Sequence, residues 1–194
     1  RISFTLRAIS NFNIETCKYL EIGVARNTVF NCIPLKIENK IGVDPVNGGT
    51  HRMTSDNFFL ENKIKFDVIF IDGLHHYKQC QKDCLNSLKF LNPGGIILLH
   101  DFLPQNSYEE LIPKKQSSWT GDVWKVAVEL IQSKNIDFCI ANIDKGVGIV
   151  KPSKNYEYKI NNELSNLRFD VFFKNYYRTL PIVSSEEALK FISS

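Results

Sequence analysis

The sequence predicts an α/β domain in which helices cover both faces of an open, doubly wound, mostly parallel sheet, and three features carry that expectation. Short apolar runs alternate with segments of helical periodicity along most of the chain, the pattern of a parallel sheet with crossover helices. The run from Phe66 to Asp72 (FDVIFID) is almost continuously apolar, as in strands buried on both faces. Two later strand-like runs, Phe138 to Asp144 and Gly146 to Pro152, are separated by Lys145 alone, which only an antiparallel hairpin accommodates.

Each element follows from local pattern. Ile2, Leu6 and Ile9 stand at helical spacing and give a short lead-in helix that packs on the sheet. Cys17 to Ile22 is a strand ending at Gly23. Asn27 and Thr28 then start a helix with Val29, Phe30 and Ile33 on its apolar face, cut off by Pro34. Lys40 to Val43 is the next strand, closed by Asp44-Pro45, and a short strand near Arg52 to Thr54 precedes a small helix after Ser55. Beyond FDVIFID, the spacing of Tyr77, Cys80, Cys84, Leu85, Leu88 and Leu91 gives a helix that Asn92-Pro93-Gly94-Gly95 breaks before the strand IILLHD. Another helix, Asp122 to Ser133, leads into the hairpin. After Pro152 the chain turns polar and Asn-rich, then aromatic (Phe169, Phe172, Phe173, Tyr176, Tyr177), and closes with a helix from Ser184 or Ser185 that has Glu186 and Glu187 in its first turn. Residues 1–152 therefore read as the functional domain, and residues 153–194 as an extension packing on it.

Composition narrows the class. A chain of 194 residues, 43% hydrophobic and 23% charged, suits one globular domain with a real core. The net charge of +3 is scattered along the chain, so no nucleic-acid arm or polybasic membrane tag is expected. No apolar run approaches the roughly 20 residues that span a bilayer, and no secretion signal is visible. The five cysteines lack paired CxxC spacing; Cys80 and Cys84, four apart on a helix, read as buried reduced thiols before a metal pair, which favours a cytoplasmic location.

In such a sheet, ligands bind at the carboxyl ends of the strands, where the order of strands reverses. The residues ending strands here are Glu21 with Gly23, Asp44, Asp72, and His100 with Asp101. A single Asp after a strand is ordinarily a turn former or helix cap; four acidic strand ends on one rim point to chemistry. In the first turn, EIGVARN, Gly23 lets backbone approach a ligand, but Ala25 and Thr28 stand where a dinucleotide fingerprint would want further glycines. Asp44 follows about 20 residues later, where a carboxylate can accept from both ribose hydroxyls of an adenosine cofactor or of NAD.

The series YLEIG at Tyr19, IGVDP at Ile41, TSDNFF at Thr54, FDVIFIDGLHHY at Phe66, LNPGGIILLHD at Leu91 and the closing hairpin resembles, in that order, the motifs of class I S-adenosylmethionine-dependent methyltransferases. The resemblance implies a Rossmann-like seven-stranded sheet with an antiparallel C-terminal hairpin strand. It also implies S-adenosyl-L-methionine as cofactor, with Glu21 and Gly23 on its methionine side, Asp44 on its ribose, Ser55 and Asp56 on its adenine edge, and Asp72 among its contacts. Within the class, DGLHHY followed by HD is similar to the metal-dependent O-methyltransferases, including macrocin-type and related sugar enzymes. That likeness makes Asp72 and Asp101 ligands of a divalent cation, Mg or Mn, and His75 the base. A hard cation on carboxylates would lower the acceptor hydroxyl's pKa, and an imidazole would remove its proton. His100 stands where the sugar enzymes have a second carboxylate and Phe102 where catechol-type enzymes have an Asn ligand. His100 is thus either a third ligand, which suits Mn better than Mg, or a hydrogen-bond donor to the acceptor. The catalytic set implied is His75, Asp72 and His100. The bland alternative for His75 and His76 is the start of a helix.

In SSWTGDVWK (Ser117 to Lys125), Trp124 reads as core and Thr120 or Asp122 as a helix cap, whereas Trp119 falls in a loop roofing the acceptor, where an exposed indole would suit a sugar ring. Similar WxGxVWK stretches followed by a GVGI-like strand occur in methyltransferases that accompany surface-polysaccharide synthesis, which implies a carbohydrate or other small polar acceptor, although the fold itself does not fix the substrate. The C-terminal aromatics read as core or as a homodimer face ahead of an acceptor lid. An NAD-dependent reductase or epimerase would want a richer glycine fingerprint and a Tyr-x-x-x-Lys pair, which Tyr77 to Gln81 fails to supply; Asp72-Gly73-Leu74-His75 likewise lacks the Pro-Pro-aromatic signature of DNA amine methylation. A non-catalytic cofactor-binding module is separated from an enzyme by whether Asp72, His75 and Asp101 converge on one cavity.

Overall fold

The computed structural model describes residues 1–194. Seven strands form one sheet in the order β2-β1-β3-β4-β6-β5-β7: β1 (Tyr19–Ile22), β2 (Lys40–Val43), β3 (Phe66–Ile71), β4 (Leu91–Leu99), β5 (Lys134–Ala141), β6 (Val147–Glu157) and β7 (Ile182–Val183). All neighbours run parallel except β6, which lies antiparallel between β4 and β5. The expected mixed, mostly parallel sheet with an inserted antiparallel hairpin strand is therefore the one observed.

Period-2 alternation within the strands builds two cores. Leu20, Ile22, Ile69, Ile71, Ile97 and Leu99 face α2 (Ser55–Glu61), α3 (Tyr77–Phe90), α4 (Trp124–Gln132) and α5 (Phe169–Asn175). Tyr19, Val68, Phe70, Leu98 and Ile149 face α1 (Ile2–Ile9) and α6 (Ser185–Ser193) on the other side. Full burial of each such side chain stabilises by about 1.5–3 kcal/mol, which is why register, once set, holds. Thr54 caps α2 by accepting from the Asn57 N–H, and Ser184 forms a capping box with Glu187 on α6.

Three expectations are corrected. The segment after β1 makes turns and one 3-10 turn, Phe30–Cys32, instead of a helix. Ala25 and Asn27 adopt left-handed φ values of 48° and 60°, and Pro34 follows too soon for an α-helix to recover. Residues 52–54 form no strand; the chain there makes only a single bridge, Val43 to His51. The seventh strand comes instead from the C-terminal segment, where β7 adds to the opposite edge beside β5. β6 also runs through Pro152 to Glu157, past the position where polar composition suggests its end. No helix is long and apolar enough to cross a membrane.

Candidate active site

The chain moves from β1 outward to β2 and then returns to the other side of β1, so the strand order reverses between β1 and β3. The residue after each strand is held by one more rung of the ladder: the Gly23 N–H donates to Val43, Asp72 to Ile22 and His100 to Ile71, at 2.9, 2.8 and 3.0 Å. Side chains at this rim are consequently fixed by the sheet itself. Gly23 has φ +83°, and a Cβ there would strike the backbone of Asp72 and Gly73, so only glycine lets the two strand exits lie this close.

Two cavities meet at this point. The first, of ≈ 550 Å³, is walled by Gly23, Asp44 to Asn47, Thr54 to Asp56, Asp72 to His75, Gln79 and Asp83. The second, of ≈ 470 Å³, is walled by Arg1, Glu21, Arg26, His100, Asp101, Ser118, Trp119 and Lys145. Gly23, Ala25, Asp72 and His75 line both. The partition holds a polar cluster between two spaces, each large enough for a small molecule.

In the first cavity Asp44 accepts from the Val46 and Asn47 N–H groups with Oδ1, both at 2.8 Å, and from the Ala25 N–H with Oδ2 at 2.9 Å. Burial works against its charge, but the three backbone donors override it and hold its pKa below the ordinary carboxylate value. With about four acceptor positions on a carboxylate, a ligand finds one remaining rather than the pair that two ribose hydroxyls would want. At the far end the Gln79 amide reaches the Ser55 hydroxyl, Asp56 and Asp83 at 3.1, 3.0 and 3.1 Å, and Asp56 also pairs with Lys82 at 3.1 Å.

At the partition, His75 Nδ1 lies 3.1 Å from Asp101 Oδ2 and 3.3 Å from the Trp119 carbonyl, while its Nε2 stands 3.6 Å from Asp72. Two oxygens at Nδ1 place the proton there and leave Nε2 with its lone pair. Desolvation lowers the pKa of His75, but the nearby Asp72 and Asp101 carboxylates outweigh it, so the net shift is upward. Asp101 holds φ 67° at the end of β4, a conformation Asp tolerates better than most residues and one that turns its carboxylate toward both histidines. His100 Nδ1 lies 3.2 Å from both Asp72 and Asp101. Burial again opposes its charge, yet the two carboxylates raise its pKa to about 10, so it is an imidazolium at neutral pH. The Arg1 guanidinium reaches Asp72 Oδ2 at 3.0 Å. Burial opposes ionisation of Asp72, and these cations together hold its pKa below the usual range.

The structure brings Asp72, His75 and Asp101 into one group with a ligand atom of each within 4.8 Å of the others, and His100 lies outside that group. Glu21 faces the second cavity, where the Tyr19 hydroxyl donates to it at 2.6 Å, and does not line the first. Trp119 is not the free indole expected of a loop: it stacks on His75 with ring centroids 5.0 Å apart and donates from Nε1 to the Leu111 carbonyl. Trp124 is core, fully buried against Phe172. Sequence reasoning misses Gln79 and Asp83, although their spacing on α3 sets both on one helix face. It also misses Lys145 and Arg1, for which no local pattern gives a signal.

Residues 39–102 match the family model of a methyltransferase domain. The match spans β2, α2, β3, α3 and β4, and so takes in Asp44, Asp72, His75, His100 and Asp101. No curated protein matches the chain. Among solved structures, an SAH-bound methyltransferase from Podospora anserina is similar at 16% identity and TM-score 0.54, covering 71% of this chain and 72% of its own. An O-methyltransferase from Bacillus cereus in complex with SAH is similar at 12% identity and TM-score 0.53, over 77% and 80% of the two chains. An O-methyltransferase of tomaymycin synthesis from Streptomyces achromogenes, in complex with SAM, aligns at 10% identity and TM-score 0.53 over 78% and 79%. At these identities the shared property is the fold alone.

Proposed function

We propose that the protein is an S-adenosylmethionine-dependent O-methyltransferase whose cofactor occupies the first cavity and whose acceptor, a sugar or other small polyhydroxylated molecule, enters the second. The observation that carries this reading is His75, which stands in the wall shared by both cavities with Nδ1 held by the Trp119 carbonyl and 3.1 Å from the Asp101 carboxylate, and with Nε2, 3.6 Å from Asp72, able to take a proton. The acceptor oxygen attacks the methyl carbon, the carbon–sulfur bond breaks with its electron pair going to sulfur, and the hydroxyl proton passes to His75 Nε2. Asp101 stabilises the imidazolium that results, as a carboxylate does for a catalytic histidine. Most of the acceleration then comes from holding two reactants in line across one partition. The polar second cavity, with Arg1, Arg26, Ser118 and Lys145 in its wall, suits an acceptor rich in hydroxyls.

The family resemblance also implies a divalent cation, and the donor chemistry of the partition argues against one. Asp72 is already matched by Arg1, and Asp72 and Asp101 together by His100. His100 is a donor between two carboxylates rather than a ligand, and a cation on the group of three would consume the lone pair that His75 needs as base. In this reading Arg1 and His100 supply the positive charge, and EDTA leaves turnover unchanged.

Calorimetric titration with S-adenosylmethionine and with NAD, each with and without EDTA, tests the cofactor. Release of SAH in the presence of a panel of methyl glycosides tests the acceptor. Replacing His75 by Ala is expected to lower kcat by about 10²–10⁴-fold with the cofactor Kd nearly unchanged. NAD binding in place of the sulfonium cofactor overturns the class; loss of cofactor affinity in the variant overturns the assignment of the base.

A further inference from the structure

A third cavity, of ≈ 300 Å³, opens beside the second and is walled by Leu103 to Gln105, the β5–β6 turn from Asn142 to Gly146, Phe173 of α5 and Tyr177 just beyond it. Lys145 lines both cavities. We infer that this space is a second acceptor subsite, which takes the sugar ring next to the one being methylated, so that the substrate is an oligosaccharide or glycoside rather than a free monosaccharide. The inference rests on the acceptor class proposed above and goes beyond it.

The lining has the make-up of a carbohydrate site. Phe173 is 50% exposed although aromatic, and it is held rigid by stacking on Tyr177 with centroids 4.9 Å apart. An exposed aromatic ring on a fixed helix offers its face to the C–H side of a pyranose, while hydroxyls want planar amides and charged groups beside it. Asn142 is exposed and its side-chain amide has no intramolecular partner, and the Gln105 amide nitrogen is equally free, its oxygen accepting from Lys145 at 3.0 Å. The walls are joined to one another: the Phe102 and Leu103 N–H groups donate to Gly146 and Lys145 at 3.2 and 2.7 Å. A pocket already tied across its mouth pays little ordering cost on binding.

The junction with the methylation site supplies an independent observation. His100 Nε2 is buried and has no hydrogen-bond partner. Asp144, in the wall of the third cavity, brings a carboxylate oxygen within 3.3 Å of it without hydrogen-bond geometry, and that side chain is 45% exposed. A buried orphan donor costs about 1–3 kcal/mol. An oxygen of a glycoside that bridges the second cavity, which His100 lines, and the third, which Asp144 lines, would relieve it.

The test uses the full chain saturated with S-adenosylmethionine and compares kcat/KM for the methyl glycoside of the best sugar in the panel, its p-nitrophenyl glycoside, and disaccharides that carry it at the methylated end. The disaccharides are expected to be favoured over the methyl glycoside by about tenfold, roughly 1.4 kcal/mol. In Phe173→Ala, and separately in Asn142→Ala, that preference should fall to within about twofold while the methyl glycoside rate, which also reports on folding, stays as in the wild type. Equal kcat/KM for mono- and disaccharides, or a preference that survives both substitutions, overturns the subsite and leaves the proposed acceptor class intact. A gain confined to the p-nitrophenyl glycoside overturns a sugar as its occupant. If no sugar is methylated, the acceptor class falls and this subsite with it.

Discussion

Glu21 carries its carboxyl into the floor of the second cavity, and its protonation follows from what surrounds it. Burial raises its pKa to about 7, against the pull of the Tyr19 hydroxyl that donates to it. Roughly half of the molecules are therefore protonated there at pH 7. A sulfonium cofactor whose methionine end crosses the partition at Gly23, which lines both cavities, brings its ammonium near and favours the carboxylate, so binding should expel a proton: about 0.5 per site at pH 7, more at pH 6 and almost none at pH 8.5. Titration in buffers of different ionisation enthalpy measures this directly, and Glu21→Gln should abolish it; release that is unaffected by the substitution would assign the proton elsewhere. Asp83 presents the opposite use of burial. Desolvation raises its pKa to about 6 despite bonds from Ser55 and Gln79. The folded protein thus keeps a proton that the unfolded chain loses near its ordinary value of 3.8, so this residue's contribution to stability is full below that value and is lost as pH rises through about 6. Asp83→Asn, which keeps the acceptor for Gln79, should raise stability at pH 7.5 by about 1–3 kcal/mol, or several degrees of Tm, with little change at pH 3.5. Which carboxylates stand at the rim was legible from strand ends; how they are charged was not, because that depends on neighbours from other elements.

At the scale of elements, the segment Trp119 to Gly121 acts as a strap over His75. Trp119 stacks on the imidazole and gives it a carbonyl, while the Thr120 and Gly121 N–H groups both donate to the Glu109 carbonyl at 3.0 Å. Gly121 has φ +61°, and any Cβ there would collide with the backbone carbonyl of His75. Gly121→Ala must therefore push the strap and His75 apart. It is expected to cost about 1–3 kcal/mol of stability and to lower kcat more than tenfold while the cofactor Kd stays within about twofold; circular dichroism melts, turnover and calorimetry separate these effects. Unchanged kcat would mean that the strap does not position the base. Both Trp residues stand out in the sequence, and Trp124 is core as its helical position indicates, whereas Trp119 is not the free indole expected: a loop residue gives no sign of the ring it will stack upon. The missing helix after β1 has a similar origin. Asn27 and Thr28 are good helix-start residues, and the spacing of Val29, Phe30 and Ile33 is met equally well by turns that bury those side chains under the sheet.

For the whole molecule, the sheet was readable because its signals are local and repeated: apolar period 2 in FDVIFID, period 3.6 from Tyr77 to Leu91, and a hairpin too short to be anything else. The role of the last forty or so residues was not, since it rests on contacts far apart in sequence. Glu129, fully buried on α4, accepts from the Tyr77 hydroxyl, the Gln81 amide, the Tyr158 hydroxyl and the Asn161 N–H, all at 2.6–2.7 Å. One carboxylate thus joins α3, the helix that follows His75, to the extension. Phe172 packs on Trp124, Ile192 is buried against α1, and β7 pairs with β5. We therefore expect residues 153–194 to unfold with the rest rather than before it. In hydrogen exchange, the amides of Phe172 and Ile192 should open with the same free energy as those of Leu98 and Ile97 in β4. Removing the carboxylate in Glu129→Ala strands several buried donors and should cost about 3–5 kcal/mol, whereas Tyr158→Phe, which removes one donor and leaves the other three bonds in place, should cost about 1 kcal/mol. If the extension exchanges fast while β4 stays protected, it is an appended segment held by few contacts. If Glu129→Ala instead lowers the protection of β4 and of the extension together, the carboxylate is the point through which the last strand and helices share the stability of the sheet that carries the site.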